Sequence, residues 1–250
     1  MKSCMTNIIF QELVSLSSNE KISILSGFFK TGPGEYGEND KFIGVIVPNI
    51  RKVAKKYLDL SLLDIQALMN SPWHEMRMCG LLVMVENLKV AESESWLESH
   101  SLRELEVLRK KYFMLYLKHT SRVNSWDLVD LTAPTIVGNY LLGKDRSVLY
   151  ELADSKLLWD QRIAVVSTYA FIRRDDCADI YQLALRLLHH PHDLIQKAVG
   201  WMLREAGKRN QKQLTDFLYK YAMEMPRTML RYAIEKYQEA ERKNFLNMKP

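Results

Sequence analysis

Charged residues on helix faces recur along this chain at a nearly fixed interval. Asp130, Arg162, Lys197 and Arg231 follow one another at steps of 32, 35 and 34 residues, the spacing that stacked helix pairs produce. Each belongs to a pair: Trp126/Asp130, Trp159/Arg162, Lys197/Trp201 and Arg227/Arg231, with a fifth pair, Trp73/Arg77, a long step upstream. Four pairs have i, i+4 spacing and one has i, i+3, and both spacings put side chains on a common helix face. Only Trp126/Asp130 contains an acid.

Helical periodicity dominates the rest of the chain. It predicts helices over 8–16, 20–30, 49–58, 62–69, 72–88, 102–120, 125–142, 147–153, 156–173, 176–188, 191–208, 211–223 and 226–240. Pro48 suits a first helical turn, and Ser61 with Asp64 resembles a capping box. Residues 31–47 form the one extended loop, with four glycines and a proline. No strand is expected, and 10 glycines and 7 prolines argue against a β-rich or disordered chain. Short links favour antiparallel neighbours, so the expected fold is all-α: an α-solenoid of antiparallel helix pairs. One domain should span 1–250, with N-terminal helices and the glycine-rich loop in 1–60, helical repeats in 61–240 and a tail in 241–250.

Equivalent positions in stacked repeats line one surface, usually the concave one. Any single tryptophan–cation pair reads most simply as core beside a solvated face. Five in one phase, with a single acid among them, favour a groove. The charge distribution points the same way. The net charge is only +5, but from Lys197 onward 12 Lys/Arg face 6 Asp/Glu. Such a field suits a polyanionic partner.

Hydrophobic content of 47% and charged content of 26% describe an ordinary folded soluble protein. Cys4, Cys79 and Cys177 are isolated, so a reducing compartment is expected. No signal-peptide pattern opens the chain, and no apolar run reaches transmembrane length. The expected location is the cytoplasm, associated with the nucleoid, or the nucleus in a eukaryote. The tract His189-His190-Pro191-His192 looks metal-binding, but Pro191 should start a helix and no Cys or carboxylate is spaced to complete a site. Neither a metal nor another cofactor is expected.

The segment 125–142 carries the chemistry. Trp126 and Asp130 share a face, while Leu128, Val129 and Leu131 can pack elsewhere. Pro134 has no N–H to offer the carbonyl of Asp130, so the helix should kink or break just after that residue. The break could tip the carboxylate toward a ligand, or it could be a tolerated proline between two short helices.

At Asp130 the chain resembles the AlkD-like family of DNA alkylation-repair glycosylases, which are built from HEAT-like repeats. The resemblance rests on GPGEYGENDKFIGVIVPNIRKVAK, NSWDLVDLTAPTIVGNYL, WDQRIAVV and LIQKAVGWMLREAGKRN, in order between Gly32 and Asn210. It implies a catalytic carboxylate at the Asp ending WDxxD, here Asp130, with Trp126, Arg162 and Trp201 as neighbouring groove residues. It also implies an aromatic near the end of the second helix, for which Phe28 is the candidate. Phenylalanine has no hydroxyl to donate there. The resemblance further implies a lesion processed while largely stacked in duplex DNA.

These residue types suit that reaction. A purine alkylated at N3 or N7 is cationic and leaves readily without a general acid. What remains is to stabilise a developing oxocarbenium and orient a water, and one carboxylate can do both. Opposite charges about 4 Å apart at an effective dielectric near 20 attract by roughly 4 kcal/mol, nearly three powers of ten in rate. Trp126 and Trp201 could flank the nucleotide, and Arg162 could hold a phosphate or orient Asp130. Arg51, Lys52, Lys55, Arg77, Lys197, Lys208, Arg209 and Arg231 are expected phosphate contacts.

The expected partner is duplex DNA carrying alkylated purines, met by a monomer. The rivals are a non-catalytic DNA-binding repeat protein and a protein-interaction scaffold, the commonest use of helical solenoids.

Overall fold

The computed structural model describes residues 4–248. It is all-helical, as an α-solenoid requires. Among the described residues the only extended pairing is an isolated bridge between Lys41 and Trp73. The chain divides into two compact units, Met1–Thr132 and Ala133–Pro250. No helix among the described residues is long and apolar enough to cross a membrane.

The first unit holds α1 (Cys4–Ser15), α2 (Asn19–Phe28), α3 (Val47–Ala54), α4 (Leu62–Met69), α5 (His74–Ala91), α6 (Glu94–Leu97), α7 (Leu102–Lys118) and α8 (Trp126–Asp130), with a 3₁₀ turn at Thr120–Arg122. Its centre is α5, which packs against α1, α3, α4 and α7. The α5 sequence is apolar almost all round, from Met76 to Leu88, as a fully enclosed helix must be. Ser61 caps α4 by accepting the N–H of Asp64. Ser101 and Glu104 close a capping box at the start of α7.

The second unit holds a π-turn (Pro134–Gly138), α9 (Ser147–Ala153), α10 (Leu158–Ser167), α11 (Tyr169–Ile172), α12 (Ala178–Arg186), α13 (Asp193–Arg209), α14 (Gln211–Tyr221), α15 (Arg227–Ala233) and α16 (Glu239–Asn247). Here α13 is central, touching α10, α12, α14 and α15. Gly200 lets α15 approach closely: a Cβ there would lie 2.4 Å from the Met229 carbonyl oxygen.

Several boundaries differ from the periodicity. The helix expected over 156–173 divides at Thr168, whose hydroxyl donates back to the Val165 carbonyl and competes with the backbone ladder. The helix expected from Pro191 begins at Asp193, with His192 as its N-cap. The short helix α6 lies where none is expected, and the helix expected over 226–240 divides into α15 and α16, the latter running on into the expected tail. Cys79 and Cys177 are buried free thiols.

Candidate active site

Asp130 is the last residue of α8. The helix stops there for the reason the sequence gives: Pro134 cannot donate to the Asp130 carbonyl. The chain then turns and tightens differently, with the Asn139 N–H reaching the Pro134 carbonyl at 2.9 Å in a π-type bond. The segment expected as one helix over 125–142 is therefore broken into short pieces. Below the break, the Thr132 hydroxyl donates to Leu128, and the buried Tyr116 hydroxyl meets it at 3.1 Å. Burial pushes the Tyr116 hydroxyl pKa up, and the Asp130 charge adds to that shift.

The Asp130 side chain is half-buried and lines a cleft of about 510 Å³. Phe28, Phe29, Phe42, Ile46 and Trp126 form much of its wall. Trp126 stacks on Phe29 at 5.4 Å and 25°, and Phe28 meets it edge-on at 5.7 Å and 72°. Phe28 is 60% exposed, so its ring is a free edge of the cleft, whereas Phe29 is buried. Phe28, Trp126 and Asp130, three residues singled out in the sequence, thus share one cleft.

A buried polar layer, whose His74, Glu75 and Asp127 also line the cleft, carries no signal in the sequence. Glu75 accepts the backbone N–H groups of Ile43 and Gly44 at 2.8 Å and of Val45 at 3.2 Å. His74 places Nδ1 3.1 Å from an Asp40 oxygen and Nε2 2.9 Å from an Asp127 oxygen. Burial disfavours the charged imidazole, but Asp127 and Asp40 outweigh it and lift its pKa to about 9. Asp40 is held below the usual carboxylate range: burial opposes this, and the hydrogen bond from His74 with the charge of Arg77 overcomes it. Glu75 and His74 stand at the first turn of an ordinary-looking helix, and their partners are 30–53 residues away in sequence.

The family model for DNA alkylation repair enzymes matches residues 9–237. The chain belongs to that family. A solved structure described as a predicted DNA alkylation repair enzyme from Enterococcus faecalis shares the fold, with a TM-score of 0.66 and 16% identity over 89% of this chain and 97% of that one. No curated protein matches.

Within this alkylation repair family member, the other expected site residues fare unequally. Arg77 is corrected outright. It is 1% exposed, pairs with Asp40 at 2.5 Å and donates to the Ser71 carbonyl, so it offers no surface charge to a phosphate. Its presumed face-mate Trp73 is the N-cap of α5 and packs on Phe10. Arg77 therefore belongs to the interior of the first unit, while Trp73 is half-buried beside it.

Arg51 and Lys55 both pair with Glu86, along with Lys89. Burial raises the Glu86 pKa, and Lys89 and Arg51 more than reverse that. Lys208 bonds Glu205 at 2.7 Å, and Arg209 holds Asp175 at 2.6 and 3.0 Å. Lys197 reaches Asp193 at 2.7 Å. Lys52 and Arg231 are exposed and carry no ion pair among the described residues.

In the second unit, Arg162 is buried on α10 and donates to the Leu194 carbonyl of α13 at 2.6 Å. Trp201, half-buried on α13, lies 6.3 Å from Tyr169. The histidine tract has local work: His192 caps α13, and His190 meets Gln161 at 2.8 Å. Among the described residues no group of three or more His, Cys, Asp or Glu is placed to hold a metal ion.

Proposed function

We propose that this protein is a monofunctional DNA glycosylase that hydrolyses the N-glycosidic bond of N3- or N7-alkylated purines in duplex DNA and leaves an abasic site. The observation that carries this reading is the position of Asp130, at the end of a proline-broken helix on the wall of an aromatic cleft. Family membership supplies the substrate class, alkylated DNA.

The chemistry follows from one carboxylate and several rings. The alkylated base carries positive charge and departs as a neutral purine. Positive charge then develops on the deoxyribose, and Asp130 stabilises it electrostatically while orienting the water that adds to the anomeric carbon. The water's proton passes to the carboxylate as its oxygen bonds the anomeric carbon. Trp126 and Phe28 supply apolar faces against which a nucleotide can stack. Neutral bases gain less from the same carboxylate, so cationic lesions are preferred.

Trp201 and Arg162 are the groove residues that the family resemblance implies; Arg162, buried and bonded to the Leu194 carbonyl, would have to leave that partner to reach a phosphate. Lys52 and Arg231 are the best-placed phosphate contacts, because neither must first release an internal partner. Arg51, Lys55, Lys197, Lys208 and Arg209 contribute by exchanging a carboxylate for a phosphate. The proposed enzyme acts as a monomer in the cytoplasm, without metal or other cofactor.

The test is base release from duplex DNA methylated at purine N7 and N3. Release by the wild type and its loss in Asp130→Asn support the reading. Salt-sensitive duplex binding without release would favour a non-catalytic DNA-binding protein instead. No DNA affinity at low salt would favour a protein scaffold.

A further inference from the structure

Two ring nitrogens of one buried imidazole face two carboxylates. His74 is 2% exposed, and its Nδ1 and Nε2 stand within hydrogen-bonding distance of Asp40 and Asp127. Ionised carboxylates only accept, so both contacts require an N–H on each nitrogen, which is the imidazolium. The Asp40 side chain also takes Arg77, and the second Asp127 oxygen accepts the Leu128 N–H at 2.9 Å. The charged groups around the ring are therefore Asp40 from the loop, Asp127 from α8, and Arg77 and Glu75 from α5, with Arg122 close to Arg77 and Asp40.

The ring is anchored on its faces as well. It lies 4.7 Å from Phe42 and 5.1 Å from Phe29. Phe29 in turn stacks on Trp126. Two separate routes, one polar through Asp127 and one aromatic through Phe29, thus run from His74 to the first turn of α8. That helix has only five residues, from Trp126 to Asp130. So short a helix has little stability of its own, and its orientation must come from what grips it.

We propose that His74 is a positioning residue: clamped between Asp40 and Asp127 and packed against Phe29 and Phe42, it fixes the orientation of α8 and hence the Trp126–Asp130 wall of the cleft. This rests on the glycosylase reading for its catalytic consequence, but the positioning is measurable without catalysis. The charge on His74 contributes electrostatically to holding Asp127. Replacing the imidazolium by a neutral amide removes one donor and the charge together, and leaves α8 free to shift. Misplacing a catalytic group by about 1 Å can lower a rate on the order of 100-fold.

The experiment uses the full chain labelled with ¹⁵N-tryptophan. The Trp126 indole signal is identified by its loss in Trp126→Phe. His74→Gln should displace or broaden that signal while those of Trp159 and Trp201 stay in place. Single-turnover base release should fall on the order of 10- to 100-fold, with duplex affinity changed less than about twofold. In the wild type, the Trp126 signal should move with a midpoint near pH 9, and this step should vanish in His74→Gln. An unmoved Trp126 signal with wild-type release overturns the proposal. If His74→Gln does not fold, the wild-type titration decides, and a Trp126 signal constant from pH 8 to 10 overturns it. Absence of base release from the wild type defeats the glycosylase reading alone, because the indole signal still reports on the clamp.

Discussion

The buried carboxylate of Glu75 accepts the backbone N–H of Gly44 at 2.8 Å, and the same group takes the N–H groups of Ile43 and Val45. A glutamate side chain here performs the role of a missing strand, satisfying three donors of a buried loop that has no ladder to join. Glu75→Gln turns one acceptor into a donor that faces an N–H. It should lower stability by about 2–3 kcal/mol, read as a lower urea midpoint with an unchanged slope. An unchanged midpoint would mean that the loop does not depend on this bond.

Gly44 is the other half of that arrangement. Its φ is +91°, and a Cβ would lie 2.5 Å from the Ser18 carbonyl oxygen and 2.7 Å from Ile22 Cγ1. Gly44→Ala combines left-handed strain with a clash against backbone. A loss of at least about 2 kcal/mol is expected, and thermal unfolding would show it.

The clamp on His74 makes stability depend on pH. Its pKa is raised from 6.5 to about 9 on folding. The charged ring therefore contributes its full stability below about pH 6.5, and that contribution fades as pH rises through about 9. Asp40 is shifted the other way, so its contribution is present above its unfolded pKa near 3.8 and fades as pH falls below it. The histidine contribution is on the order of 3 kcal/mol. Melting temperature should fall between about pH 6.5 and 9 in the wild type, and His74→Gln should lose most of that slope. Parallel curves for the two proteins would contradict the shift.

Phe28 touches Trp126 by one edge and leaves most of its surface open. Phe28→Ala should cost about 0.5–1 kcal/mol of stability, far less than truncation of a buried ring. If the cleft holds the lesion, base release should nevertheless fall, because the stacking edge is gone. Wild-type release in Phe28→Ala would place the substrate elsewhere.

How much of this is legible in sequence depends on where each cause lies along the chain. The end of α8 at Asp130 is readable because its cause, Pro134, is four residues away and acts through one missing N–H. The capping of α4 by Ser61 is readable for the same local reason. The burial of Arg77 is not, since its partner Asp40 lies 37 residues upstream in a loop without periodicity. Spacing alone puts Arg77 in phase with the other paired charges and gives no sign of that partner. Phe28 and Phe29 are adjacent and chemically identical, yet one edges the open cleft and the other backs it. Only the C-terminal geometry of α2 separates them. His74 and Glu75 carry no motif at all, because what they bind is two distant acids and three backbone amides. Membership of the repair family, by contrast, is written in several segments spread along the chain, and no single contact has to be guessed to see it.

In the proposed reaction, the Asp130 carboxylate drives the loss of a cationic base. The most direct measurement is single-turnover release of N7- and N3-methylpurines from duplex DNA by the wild type and by Asp130→Asn, with duplex affinity measured in parallel. Release by the wild type and a fall on the order of 1,000-fold in the variant are expected, with affinity kept or slightly raised by removal of a negative charge. Equal release rates for the two proteins would contradict the proposed reaction.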